Sequence, residues 1–245
     1  MSPKKIHTKL RFDFLDGIRG WASVMVLLSH TIVCFLAKTT PSYQTPYFAF
    51  ITDGHLAVFI FFVLSGFALS IKFIHQSECL IAPAVTSRYF RLFIPIFFTS
   101  FIAYLFMKQN LMFNIQAGEI AHSPDWLGTF FNFSPTLEGL LRFCTYNVFF
   151  DYQATSTYNP VLWTMPIEYT GSMLIYFVIA VFRKPHQTIS LIPLSIITIY
   201  FLKHSPAIAC FMLGYFLGEI HFLYRDIKAN LLRMIATFLF IAPIV

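Results

Sequence analysis

Charge is what this chain of 245 residues has least of: 11% Asp, Glu, Lys and Arg, against 57% hydrophobic residues. A soluble domain carries roughly a quarter charged residues. So few cannot cover a water-facing surface, which excludes a soluble globular enzyme and points to an integral membrane protein. Paired cysteines are missing too. Cys34, Cys79, Cys144 and Cys210 are scattered, without pairs at metal or redox spacing, and most of them are expected as small buried residues. No set of His, Cys and carboxylate side chains has ligand spacing, so no metal is implied. Internal repeats and low-complexity tracts are absent. No A-x-A cleavage site follows the first apolar run, which argues against a removed signal peptide. The formal charge of +6 does not imply nucleic acid, because basic residues in a polytopic protein normally record topology.

What the chain does have is apolar runs of membrane length. They predict an all-α, polytopic transmembrane bundle of six to seven spans, with residues 1–13 as a short basic lead-in and 14–245 as the membrane domain. The expected spans lie near 18–37, 56–74, 92–108, 160–182, 188–202 and 207–223, with a seventh run from about 231. Span six carries Gly214-x-x-x-Gly218, a small-residue pattern that lets helices approach closely. Residues 109–159 form a long connection, in which 126–150 reads as a helix lying at the interface or dipping into it. The chain stops at Val245 inside an apolar run, so it is expected to be the N-terminal part of a larger bundle. Of the 17 Lys and Arg residues, all but Lys38, Lys108, Arg142 and Lys203 fall on or beside one side if the N-terminus is cytoplasmic. That orientation puts 38–55 and 109–159 outside. Asn132-Phe133-Ser134 in the second of these is a glycosylation sequon, followed unhelpfully by Pro135.

A few polar groups interrupt the apolar runs. The first run, from Phe14 to Phe35, opens with Asp16, Gly17, Arg19 and Gly20 and is broken once, by His30. Arg19 and His30 are about three helical turns apart and share a face, some 16 Å along the axis. Glu168 falls in span four at a depth matching that of His30, about 10 Å below the outer side. An ionisable group inside a bilayer is expensive and is a functional-site hypothesis by default. A histidine there can accept a proton, with a carboxylate to orient or charge it; the plainer reading of each is an inter-helix hydrogen bond. Arg19, Arg88 and Arg91 sit toward the cytoplasmic side, where a guanidinium fork suits phosphate; ordinary positive-inside anchors are the alternative. Ser65-Gly66 in span two has no base within sequence reach and reads better as a close-packing pair than as a nucleophile. Trp21, Trp126 and Trp163 fall at expected interfaces.

These residues form a series. Leu15-Asp16-Gly17-Ile18-Arg19-Gly20 with His30, Phe61-Phe62-Val63-Leu64-Ser65-Gly66-Phe67, Arg88-x-x-Arg91-Leu92-x-x-Pro95 and Leu162-Trp163-Thr164-Met165-Pro166-Ile167-Glu168 resemble, in order, the motifs of the membrane acyltransferase-3 family. That family includes polysaccharide O-acetyltransferases, and the Glu168, Gly171, Ser172 ending is similar to its fungal branch. The resemblance implies transfer of an acyl group, commonly acetyl, from cytoplasmic acyl-CoA to a hydroxyl-bearing acceptor at the other face. It implies His30 as the catalytic base and Glu168 as the acidic partner. It implies Arg19, Arg88 and Arg91 as donor-binding arginines, with acyl-CoA a substrate and not a resident cofactor. Two other classes stay open: a proton-coupled transporter using His30 and Glu168 as a relay, and an inactive truncated homologue.

Overall fold

The structure, a computed structural model, describes residues 13–43, 49–75, 80–182, 191–221 and 224. The basic lead-in (all but its last residue), Cys79 and the seventh apolar run lie outside the described residues. Among those described there are helices and turns but no strand. Among the described residues four helical stretches are long and apolar enough to cross a membrane: Phe14–Thr39, Gly54–Phe73, Ile81–Lys108 and Pro160–Val181. Shorter apolar helices, Leu191–His204 and Pro206–His221, stand where spans five and six were expected. The chain forms two compact units, Met1–Phe61 and Phe62–Val245.

In the first unit, α1 (Asp13–Leu28) runs on through a π-helical segment, Ser29–Leu36, and a last α turn, Ala37–Thr39. It packs on the start of α2 (Gly54–His75), through Ala22, Met25 and Ala57 with Val26, Leu56, Ile60 and Phe61 around them. Asp53 caps α2, its Oδ1 accepting from the Leu56 N–H at 2.9 Å. Residue 54 is glycine for a steric reason. A Cβ there would lie 2.7 Å from Ser29 Oγ.

The second unit is built on α3 (Ile81–Lys108). It begins at Ile81 and not near 92, so Arg88 and Arg91 lie inside the helix and not in a polar segment before it. At 1.5 Å per residue α3 is about 42 Å long. Its inner face carries a ladder of rings one helical turn apart: Tyr89, Phe93, Phe97, Phe101 and Tyr104, with successive centroids 6.1, 5.8, 5.9 and 6.3 Å apart. The long connection folds onto this ladder. Its α4 (Asn114–Ile120) leads to α5 (Leu137–Arg142), which continues as a π segment, Phe143–Asn147, and a final turn, Val148–Phe150. Leu140, Phe143, Cys144, Val148, Phe149 and Tyr158 form a buried core with Ile96 and Met107 of α3. Of the stretch 126–150 expected as one helix, residues 137–150 are helical, as α5 and its continuation, and are held by aromatic packing against α3.

The remaining elements are α6 (Met165–Phe182), entered through a 3-10 turn at Pro160–Thr164, α7 (Leu191–His204) and α8 (Pro206–His221). Asn159 caps the turn, accepting from the Val161 N–H at 3.2 Å. The tight turn expected at Lys203 to Pro206 is present: the Ser205 carbonyl accepts from Ile208 and Ala209 to start α8. Helix α8 meets α2 at two glycines. A Cβ on Gly66 would collide with the Phe211 carbonyl, and one on Gly214 would lie 2.6 Å from the Phe67 nitrogen. A Cβ on Gly171 of α6 would strike the Phe211 ring, 2.6 Å from Cγ. Phe211 is fully buried against these glycines and stacks on Phe62 at 5.4 Å. The close-packing reading of Gly66 and Gly214 therefore holds.

Candidate functional site

Those glycine contacts decide where the polar residues beside them go. Ser65 precedes Gly66 on α2, and Ser172 follows Gly171 on α6. With both glycines against Phe211, the two serines turn to a common charged pair. Arg88 of α3 and Glu168 of α6 form an ion pair, Nη2 to Oε1, with side chains 13% and 12% exposed. Ser65 Oγ donates to the same Oε1 at 2.8 Å. Arg88 Nε donates to Ser172 Oγ at 3.0 Å, and that hydroxyl donates in turn to the Glu168 carbonyl at 2.6 Å. The result is a closed network from three helices in which a planar fork bridges a carboxylate and a hydroxyl. It carries no net charge, which is the condition for placing ions in an apolar bundle. Both bonds to the carboxylate fall on Oε1. Among the described residues Oε2 has no hydrogen-bond partner.

This arrangement departs from the depths estimated by counting residues. Arg88, expected in a polar segment on the cytoplasmic side, lies seven residues into α3 and meets Glu168 in the first turn of α6. Arg88 and Arg91 do not share an environment. Arg88 is turned into the bundle, whereas Arg91 is exposed and has no ion pair among the described residues. Tyr169, next to Glu168, packs against Tyr89, Phe149 and Phe150, so one flank of the pair is aromatic.

In the first unit, Arg19 lies near the start of α1 with Asp16 3.4 Å away, and both side chains are about half open. His30 is the second residue of the π segment, half-buried, with Cys34 Sγ 4.0 Å from its Nδ1. Short π segments inside α-helices are frequent at functional sites. Trp21 and Trp163 are exposed apolar residues, as interface anchors would be. Asn132 is exposed, its Nδ2 donating to the Gly128 carbonyl at 2.7 Å.

Sequence reasoning missed two members of the buried network. Ser65 was read only as half of a packing pair, yet its hydroxyl holds Glu168. Ser172 was legible, since it lies four residues after Glu168 on the same helical face. No group of three or more His, Cys, Asp or Glu able to hold a metal occurs among the described residues. No curated protein and no solved structure matches the chain. The profile of the acyltransferase-3 family, described as an acyltransferase domain, matches residues 12–245, which include every one of these side chains. The chain belongs to the acyltransferase-3 family.

Proposed function

We propose that this acyltransferase-family protein is a multi-pass membrane O-acyltransferase. It moves an acyl group, acetyl by family position, from an acyl-CoA donor to a hydroxyl of a carbohydrate or other small acceptor. The observation that carries the reading is the family match over 12–245, because it spans the whole set of ionisable residues held in apolar helices. In the proposed reaction His30 takes the proton of the acceptor hydroxyl, whose oxygen attacks the thioester carbonyl carbon. The tetrahedral intermediate collapses with cleavage of the C–S bond, and the histidine returns its proton to the departing CoA thiolate. Motif position assigns the donor phosphates to the family's arginines, and of these Arg19 and Arg91 keep their side chains reachable. Glu168 is assigned to charging or orienting the acceptor side. The N-terminus is placed on the donor side by the distribution of Lys and Arg.

A proton relay fits Glu168 less well. A relay carboxylate must load and release a proton in turn, and here a permanently charged guanidinium holds it. The test is transfer of label from acetyl-CoA to hydroxyl acceptors in membranes bearing the full chain, wild type against His30→Ala. Loss of general-base catalysis lowers the rate about 100-fold or more. Equal labelling by both proteins sinks the assignment of His30.

A further inference from the structure

The proposed function leaves open why Arg88 and Arg91, three residues apart in one motif, differ so much in surroundings. A donor-phosphate ligand needs guanidinium N–H groups free to meet an anion. Arg88 spends Nη2 on Glu168 and Nε on Ser172, and its side chain is 13% exposed. Ser65 adds a third helix to the same carboxylate oxygen. Each partner also has a reason to stay. An unpaired carboxylate or guanidinium inside an apolar bundle is far costlier than the pair. The Ser172 hydroxyl fixes the plane of the fork by accepting from Nε while tied to the Glu168 carbonyl. The bonds converge on Oε1, and among the described residues Oε2 has no hydrogen-bond partner.

We infer that Arg88 is the fixed counter-ion of Glu168 and not a ligand of the donor's phosphates. With Ser65 and Ser172 it is a positioning residue that clamps α2, α3 and α6 and aims Glu168 Oε2 at the hydroxyl-bearing acceptor. The acceptor-side role rests on the proposed function. The clamp itself does not.

Two measurements on the full chain separate these claims. The first is a thermal-stability cycle in detergent with Arg88→Gln, Glu168→Gln and the double variant. Each single change strands a buried charge and lowers the midpoint by roughly 5 °C or more. The double leaves two amides that hydrogen-bond each other and recovers at least half of the summed loss. Additive losses overturn the clamp. This cycle needs no substrate, so it decides the pairing even if wild type transfers no acyl group, a result that would instead strike the proposed function. The second is steady-state transfer from acetyl-CoA. Arg88→Gln lowers kcat at least tenfold with the donor KM within twofold, whereas Arg88→Lys, which keeps the charge and loses the fork, recovers much of kcat. Arg91→Gln raises the donor KM instead. A donor KM raised tenfold by Arg88→Gln with kcat retained returns Arg88 to the phosphates and overturns the inference.

Discussion

Asn110 and His122 occupy left-handed backbone, with φ of 54° and 49°, at the ends of α3 and α4. Both close the same motif. The residue itself bonds back to the third-last turn position, Asn110 to Met107 and His122 to Glu119, and the next residue reaches one further, Leu111 to Phe106 and Ser123 to Gly118. This is the double hydrogen bond that ends many helices, normally with Gly or Asn at the turning position. Asn110 is therefore ordinary and His122 is strained, since a larger side chain pays about 1–2 kcal/mol for that conformation. His122→Gly is expected to stabilise the protein by roughly 1 kcal/mol, about 2–4 °C in thermal midpoint. A lower midpoint would mean that the imidazole makes a contact worth more than the strain. Tyr158 is a second such point. It is 3% exposed, its hydroxyl donates to the Thr136 carbonyl at 3.0 Å, and burial raises the phenol above its ordinary value. Because the folded value is the higher, the neutral phenol's contribution is complete below about pH 10 and is lost as pH rises through the folded value. Between pH 9 and 11.5 the wild-type midpoint should fall more steeply than that of Tyr158→Phe. Parallel curves would refute this.

At the scale of elements, glycine placement decides the order of packing. Gly66 and Gly214 let backbones of α2 and α8 touch, and Gly171 makes room for Phe211. A methyl at residue 66 or 214 meets backbone that cannot swing aside, so Gly66→Ala and Gly214→Ala should each cost about 1–3 kcal/mol. Gly20 is the comparison, because nothing lies within 4 Å of a Cβ built there. Gly20→Ala should stabilise α1 by about 0.5–1 kcal/mol, as alanine loses less backbone entropy in a helix. Equal effects at all three would remove the packing argument. The small-residue pattern was readable in the sequence because it is local. The start of α3 was not. Hydropathy counts Arg88 as water-facing and begins the span after it, whereas the helix extends back to Ile81 because that arginine's charge is met by a carboxylate 80 residues away. Nothing near Arg88 in the sequence announces this pairing. For the same reason Ser65 reads in the sequence only as half of a close-packing pair. Its partner is 103 residues distant.

At the scale of the whole molecule the apolar class and helical architecture follow from composition, since so little charge leaves only a lipid-facing surface. The candidate residues were legible one by one as polar breaks in apolar runs, but their grouping was not, because grouping depends on which helix faces which. Helix α3 shows what each face has to satisfy. Inward it presents Arg88, Ile96, Ser100 and Met107, and outward it exposes Phe90, Ile94, Phe98, Ile102 and Leu105 in a stripe one turn apart. Such a stripe in water would be an aggregation surface, while in a bilayer it is the solvated face. Ile94 is 64% exposed and lies at the middle of the helix. Arg88 is tolerated because its charge is neutralised within the bundle, but a cation at residue 94 would face hydrocarbon with no carboxylate to meet it. Ile94→Lys should therefore cost about 2.5–3.5 kcal/mol of insertion free energy at mid-membrane depth. The expected outcome is a clear fall in the membrane-integrated fraction resistant to carbonate extraction, with Ile94→Leu unchanged. If the lysine variant integrates as fully as wild type, the outer stripe of α3 is not its lipid face, and the arginine–carboxylate pair loses its reason for being turned inward.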